Sequence, residues 1–162
     1  MKKVVLFLIT LFAFSLQSAN AQDSQLTISC DNPDFDVKVK RCLAAGNALF
    51  IDVMFTNNGS KDLVGHIAWD SEAYDDEGNS WSAEWGKGLL TKLPDSQAYK
   101  GGSEVYVYGG IGFPQNVPRK VGFKMDNLSS ESMTIMKFHI VLGIDGVGLI
   151  NIDIKNIPIS RN

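Results

Sequence analysis

Groups that do chemistry near neutral pH are few: 162 residues contain two histidines, His66 and His139, and two cysteines, Cys30 and Cys42. His139 shares strand parity with Lys137, which suits a surface histidine, and His66 follows Gly65 near a strand start, which suits a structural one. A G-x-S-x-G elbow is absent, so serine-hydrolase chemistry has no signature. The glycine-rich run Tyr108–Gly112 neither precedes a lysine–serine pair nor opens a helix, so it is not a phosphate loop. Those glycines suit a bend in a strand. Basic clusters are missing too. Fifteen Lys and Arg face eighteen Asp and Glu, and Lys38, Lys40 and Arg41 together read as one solvated strand face. Nucleic acid and anionic lipid are therefore poor partners. No repeat, low-complexity tract or linker divides the chain, and no helical apolar stripe runs beyond its first 21 residues.

Those first residues are of another kind. Met1, Lys2 and Lys3 form a basic head, Val4 to Leu16 is almost unbroken apolar, and Ala19-Asn20-Ala21 fits the small-x-small site of a signal peptidase. This predicts a cleaved secretory signal over 1–21 and one domain over 22–162. The apolar run is about 13 residues, short of the ~20 a spanning helix needs, so no membrane insertion is expected after cleavage. No cysteine follows the small residues, so no lipid anchor is indicated. The expected location is the periplasm or the exterior.

Exported proteins meet an oxidising environment, and an even cysteine count there predicts a Cys30–Cys42 disulfide. The loop it closes is short, and such a bridge contributes on the order of 3 kcal/mol. Parity resists it. Leu26, Ile28 and Cys30 share the apolar face of one strand, whereas Cys42 has the parity of Lys38 and Lys40 unless a bulge near Arg41 adds a residue.

Alternation of period two governs the rest. Leu49, Ile51, Val53 and Phe55 alternate with more polar neighbours, as do Val121, Phe123 and Met125. Met136, Phe138, Ile140 and Leu142 oppose Lys137 and His139. Ile150, Ile152 and Ile154 oppose Asn151, Asp153 and Lys155. Turn chemistry at Asn57–Ser60, Glu77–Asn79, Lys100–Gly102 and Asp145–Gly146 separates these runs. The pattern predicts an all-β, antiparallel, immunoglobulin-like β-sandwich of about eight or nine strands.

The acidic stretch SEAYDDEGNSW, Ser71 to Trp81, raises the question of a metal. With Gly78 at position 6 of a helix-flanked calcium loop, position 1 falls on Ala73 and position 8 on Ser80, and no helices flank it, so that motif fails. A hairpin turn is the main expectation, with Tyr74 and Trp81 as cross-strand neighbours beside it. A looser calcium site from Asp70, Glu72, Asp75 and Asp76 is the alternative, and no other cofactor is expected.

Aromatics supply the remaining candidates. Trp81 and Trp85 share one strand face, Tyr106 and Tyr108 oppose Val105 and Val107, and Trp69 and Tyr74 lie in the preceding strand. Exposed together, Trp81, Trp85, Tyr106, Tyr108 and Tyr74 form a ligand surface. The bland reading places the tryptophans in the sandwich core.

The runs LFIDVMFTNNGSKDLVG, AYDDEGNSW and LLTKLPDSQAYKGGSEVYVYG, with the closing NIDIKNIPI, resemble exported immunoglobulin-like, telokin-like domains of Bacteroidetes-type bacteria. The Asn-rich turn and Asp-Glu-Gly hairpin also resemble an immunoglobulin-like proteinase inhibitor domain. The resemblance implies fold and export without a known activity. The functional expectation is a non-enzymatic binding module for a protein or glycan partner. The alternatives are a proteinase inhibitor presenting Gly86–Leu93 or Ile111–Val117, and a calcium-dependent adhesion domain.

Overall fold

The computed structural model describes residues 25–83, 89–92, 99–101, 104–106 and 110–161, the three short middle segments as strands only. Among the described residues fourteen strands run in order: β1 (Thr27–Cys30), β2 (Phe35–Ala45), β3 (Ala48–Asn57), β4 (Leu63–Ile67), β5 (Glu72–Asp75), β6 (Ser80–Ser82), β7 (Leu89–Lys92), β8 (Tyr99–Gly101), β9 (Glu104–Tyr106), β10 (Ile111–Phe113), β11 (Arg119–Asp126), β12 (Thr134–Ile144), β13 (Gly148–Pro158) and β14 (Ser160–Arg161). No helix occurs among the described residues. A seven-stranded sheet has the order β1-β13-β12-β4-β10, with β5 also on β12 and β6 on β5; a five-stranded sheet has the order β14-β2-β3-β11-β7. Pairing is antiparallel except for β14, whose two residues lie parallel to Leu43 and Ala44 of β2. β8 and β9 form a separate two-stranded ribbon.

The two large sheets close on one apolar core. Alternation drives this, because one side of each strand carries the β-branched and aromatic residues. Ile150, Ile152 and Ile154 of β13 are buried beside Phe138, Ile140 and Leu142 of β12, and Ile51, Val53 and Phe55 face them from β3. Aromatic rings stitch the layers edge to face: Phe123 of β11 meets Phe138 of β12 at 4.8 Å between centroids, and Phe113 of β10 meets Phe35 of β2 at 5.5 Å. Such geometry sets the positive ring edge against the negative face.

Two irregularities change which side chains are buried. The β2–β3 register shifts between Val39 and Arg41. This bulge turns Cys42 inward, where it is 7% exposed, as the parity problem required. A second shift, between Ile135 and Lys137 on β12, faces Asn156 on β13 with φ +58°. It corrects the expectation for Met136: Ile135 takes the inward place and Met136 is left 44% exposed.

The predicted disulfide is also corrected. Cys30 and Cys42 are free thiols. They belong to different sheets, and each sulfur sits in its own surroundings. The Cys30 thiol donates to the Asn32 carbonyl at 3.4 Å. Burial pushes the Cys42 thiol up to about 12.

One buried polar residue joins the layers. Asn57, fully buried at the end of β3, donates from Nδ2 to the Lys61 carbonyl (2.8 Å) and the Phe113 carbonyl (2.9 Å), and its Oδ1 accepts from Gly59 N–H (3.0 Å). The 57–60 turn is thereby tied to β10 in the opposite sheet.

Candidate functional site

The acidic stretch forms the β5–β6 hairpin, closed by Asp75-Asp76-Glu77-Gly78-Asn79 with Gly78 at φ +83°. Asp75 is its centre. It is 4% exposed, and its Oδ1 accepts from the amides of Glu77 (3.1 Å) and Asn79 (2.7 Å). Its Oδ2 accepts from Asn79 Nδ2 (2.8 Å) and Ser132 Oγ (2.5 Å). Burial alone raises a carboxyl's pKa. The hydrogen bonds from Asn79, Ser132 and Glu77 outweigh it and hold Asp75 below the ordinary value. Both Asp76 oxygens accept from the Met133 amide, and Glu72 accepts from the Tyr74 hydroxyl. Three of the four proposed metal-ligating carboxylates are thus engaged with the protein's own donors, while Asp70 stands exposed on the next turn. Among the described residues no three His, Cys, Asp or Glu side chains gather closely enough to hold a metal.

The proposed aromatic surface does not assemble among the described residues. Trp81 pairs with Ala73, and Tyr74 pairs with Ser80. Tyr74 and Trp81 therefore lie on opposite faces of the hairpin. Trp81 is 5% exposed, and its indole N–H donates across to the Asp126 carbonyl at 2.6 Å. It is a core residue, satisfied at its one polar atom. Trp85 and Tyr108 lie outside the described residues, and Tyr106 is described only through the pairing of β9 with β8, where it faces Tyr99. The two inhibitor-loop candidates fare similarly. Ile111 and Phe113 are buried in β10, Gln115 donates its amide to Asp62, and residues 89–92 pair with β11 as β7. Residues 86–88 and 93 lie outside the description.

A different constellation occupies the outer face of the seven-stranded sheet. Cross-strand register places Asp153, His139 and Glu72 in one row, and Lys155, Lys137 and Tyr74 in the next. His139 Nδ1 is 3.0 Å from Asp153 Oδ1. The Lys137 ammonium lies between Glu72 (3.8 Å) and Asp153 (3.9 Å), and the Tyr74 hydroxyl donates to Glu72 at 2.6 Å. That bond to a carboxylate raises the Tyr74 pKa. One row carries the carboxylates and the next the lysines, Lys155 directly opposite Lys137, so the face presents fixed donors and acceptors without a strong field of one sign.

Beside these rows the chain between β4 and β5 makes a detour. β4 meets β12 at Leu142 and β5 resumes at His139, so residues 68–71 stand against Ile140 and Val141 alone. The Ser71 amide donates to the Ala68 carbonyl (3.1 Å), which closes a four-residue turn. The buried Ser71 hydroxyl accepts from the Val141 amide at 2.9 Å, and the Ala68 amide donates to the Val141 carbonyl at 2.8 Å. β12 thus keeps its hydrogen bonds through the interruption, as buried backbone groups require. Trp69 and Asp70 form the corner. Trp69 is 72% exposed; among the described residues it is the most exposed large apolar side chain, and none of them holds its indole by a hydrogen bond. One row further along, the exposed His66 ring lies across Gly143, whose absent Cβ leaves it room. Sequence reasoning placed Trp69 within a strand. The signal that could have found it is the polar pair Asp70-Ser71 directly after an aromatic, a turn signature inside an apparent strand.

Compared with models of protein families, with curated proteins and with solved structures, the chain matches none. The likeness to exported telokin-like domains therefore rests on its turn motifs alone.

Proposed function

We propose that this chain is an exported, immunoglobulin-like binding domain that acts by docking a protein or glycan partner on the outer face of its seven-stranded sheet. The observation that carries the reading is Trp69. A tryptophan 72% exposed at a turn corner gives nothing to the core. A rigid indole on a hydrogen-bonded turn offers large contact area at little entropic loss on binding. The rows of Glu72, Tyr74, Lys137, His139 and Asp153 beside it supply the directional polar contacts that fix orientation. Export follows from the leader-like residues 1–21, and the location is the periplasm or the exterior.

The test is binding of the wild type and Trp69→Ala to envelope extracts and to an array of immobilised glycans. A saturable ligand whose affinity falls at least tenfold in the variant, with an unchanged melting temperature, is the expected result. Equal binding by both proteins sinks the reading.

A further inference from the structure

Among the described residues, the edge of the seven-stranded sheet at β1 is apolar and takes no second strand. β1 pairs with β13 alone, in unbroken register from Thr27 opposite Lys155 to Cys30 opposite Ile152. Just beyond, the Asp31 amide donates to the Asn151 carbonyl at 3.0 Å. Hydrogen-bonded and non-bonded pairs alternate along an antiparallel ladder. Ser29 and Thr27, in phase with Asp31, therefore turn their amides and carbonyls toward β13. Leu26, Ile28 and Cys30 turn theirs to the open side.

Their side chains fit the same picture. Leu26 and Ile28 share a face with Cys30, which packs on the core, yet they are 40% and 36% exposed. Sheets ordinarily blunt such an edge with charge, proline or a bulge. β2, the neighbouring edge of the other sheet, carries Lys38 and Lys40 and is capped by β14 at Leu43 and Ala44. β10 ends at Pro114. Leu26 to Cys30 has no charge, no proline and no bulge, and only its shortness limits it.

We infer that β1 is a self-association edge, through which two copies of the chain pair antiparallel about a two-fold axis at Ile28 and extend the sheet from one molecule into the next. The stripe Leu-Thr-Ile-Ser-Cys is its own complement in that arrangement. Ile28 meets Ile28 of the second copy, Leu26 meets Cys30, and Gln25 meets Asp31, so no like charges oppose. All three residues with open amides face one another as hydrogen-bonded pairs. A slip of one residue puts Thr27 or Ser29 opposite them, whose amides β13 already uses. Hydrogen-bond phase and side-chain face thus both exclude odd slips, and even slips pair fewer of the three open residues with one another. The contact is small, which places it among weak, transient associations, and it is separate from the Trp69 face.

Sedimentation of the protein over micromolar to millimolar concentration is expected to show reversible monomer–dimer exchange. Ile28→Lys sets two ammonium groups opposite each other at the axis and should abolish the dimer without lowering the melting temperature. Leu26→Cys should yield, under mild oxidation, an intermolecular disulfide to Cys30 of the second copy, identified by peptide mass. A single monomer mass across the whole range overturns the inference, whatever other strand the edge accepts. A dimer that survives Ile28→Lys, or a Leu26→Cys protein cross-linked only through other residues, overturns it as well.

Discussion

Replacing Asp75 by asparagine removes one charge and almost no volume from the β5–β6 hairpin. The wild-type carboxylate receives four hydrogen bonds, from Glu77 N–H, Asn79 N–H, Asn79 Nδ2 and Ser132 Oγ. Bonds to a charged acceptor contribute about 1.5–3 kcal/mol each, and neutral ones about 0.5–1.5. An asparagine keeps the two backbone donors as neutral bonds through Oδ1. Its amide nitrogen then confronts the other two donors, and recovery requires the Ser132 hydroxyl to rotate and the Asn79 amide to flip. The expected loss at neutral pH is about 2–3 kcal/mol.

The pH dependence separates this from simple misfit. Asp75 is held below its ordinary pKa when folded. A depressed carboxyl contributes stability that is fully present above the unfolded pKa of about 3.9 and lost as pH falls through the lower folded value. Wild type and Asp75→Asn should therefore differ at neutral pH and converge below about pH 4. Urea titration followed by tryptophan fluorescence reads this as a shift in midpoint at constant slope. A gap of equal size at neutral and acid pH would mean that shape, not charge, matters at this position, and the reasoning fails.

Asn57→Ala strands the Lys61 and Phe113 carbonyls and the Gly59 amide, and should lower stability by about 2–4 kcal/mol in the same titration; a loss under about 0.5 kcal/mol refutes its role as a tie between layers. Gly65→Ala and Gly143→Ala test two adjacent pairs of the β4–β12 ladder, Gly65 opposite Ile144 and Gly143 opposite His66. A Cβ at Gly65 meets the Gly143 carbonyl oxygen at 2.5 Å, whereas one at Gly143 meets only the His66 ring at its surface, at 2.5 Å to Cε1. The first should fold poorly or lose several degrees of melting temperature, and the second should be mild and milder still with His66→Ala. The cysteines predict two thiols reacting with a disulfide reagent in denaturant and neither reacting fast in the native state. Burial is the main reason that both thiols are raised, Cys42 to about 12. Their contribution to stability is accordingly complete below the unfolded pKa of about 8.5 and lost as pH rises toward the folded values. No reactive thiol in denaturant would mean a bridge.

Side-chain alternation made the sheets legible in the sequence, and the bulges limited how far. Ile150, Ile152 and Ile154, or Ile51, Val53 and Phe55, announce their faces because a strand buried on one side repeats every two residues. Met136 and Cys42 broke the pattern for the same reason from opposite directions. Each lies next to an inserted or shifted residue: parity at Cys42 pointed to a bulge near Arg41, where the register does shift, whereas nothing in the run around Met136 marked the shift there, because a bulge is set by what the neighbouring strand needs. Trp81 shows the other gap. Its strand parity gave a face but not which face was dry, and the indole N–H reaches Asp126, 45 residues away.

A tryptophan in a half-buried strand is ordinarily core, and Trp81 obeys that rule. Trp69 escapes it because four residues, 68–71, occupy the span where β12 offers two. Such an insertion destabilises a sheet unless the orphaned amide finds a partner, and Ser71 Oγ supplies that partner at 2.9 Å from Val141 N. Ser71→Ala should therefore reveal whether the detour is held in place or merely tolerated. Loss of about 1–2 kcal/mol, together with a Trp69 emission that shifts and an affinity for partner that falls, is expected if the hydroxyl holds the corner. Unchanged emission and binding in a destabilised protein would show that Ser71 serves the sheet alone and that the corner owes its shape to something else.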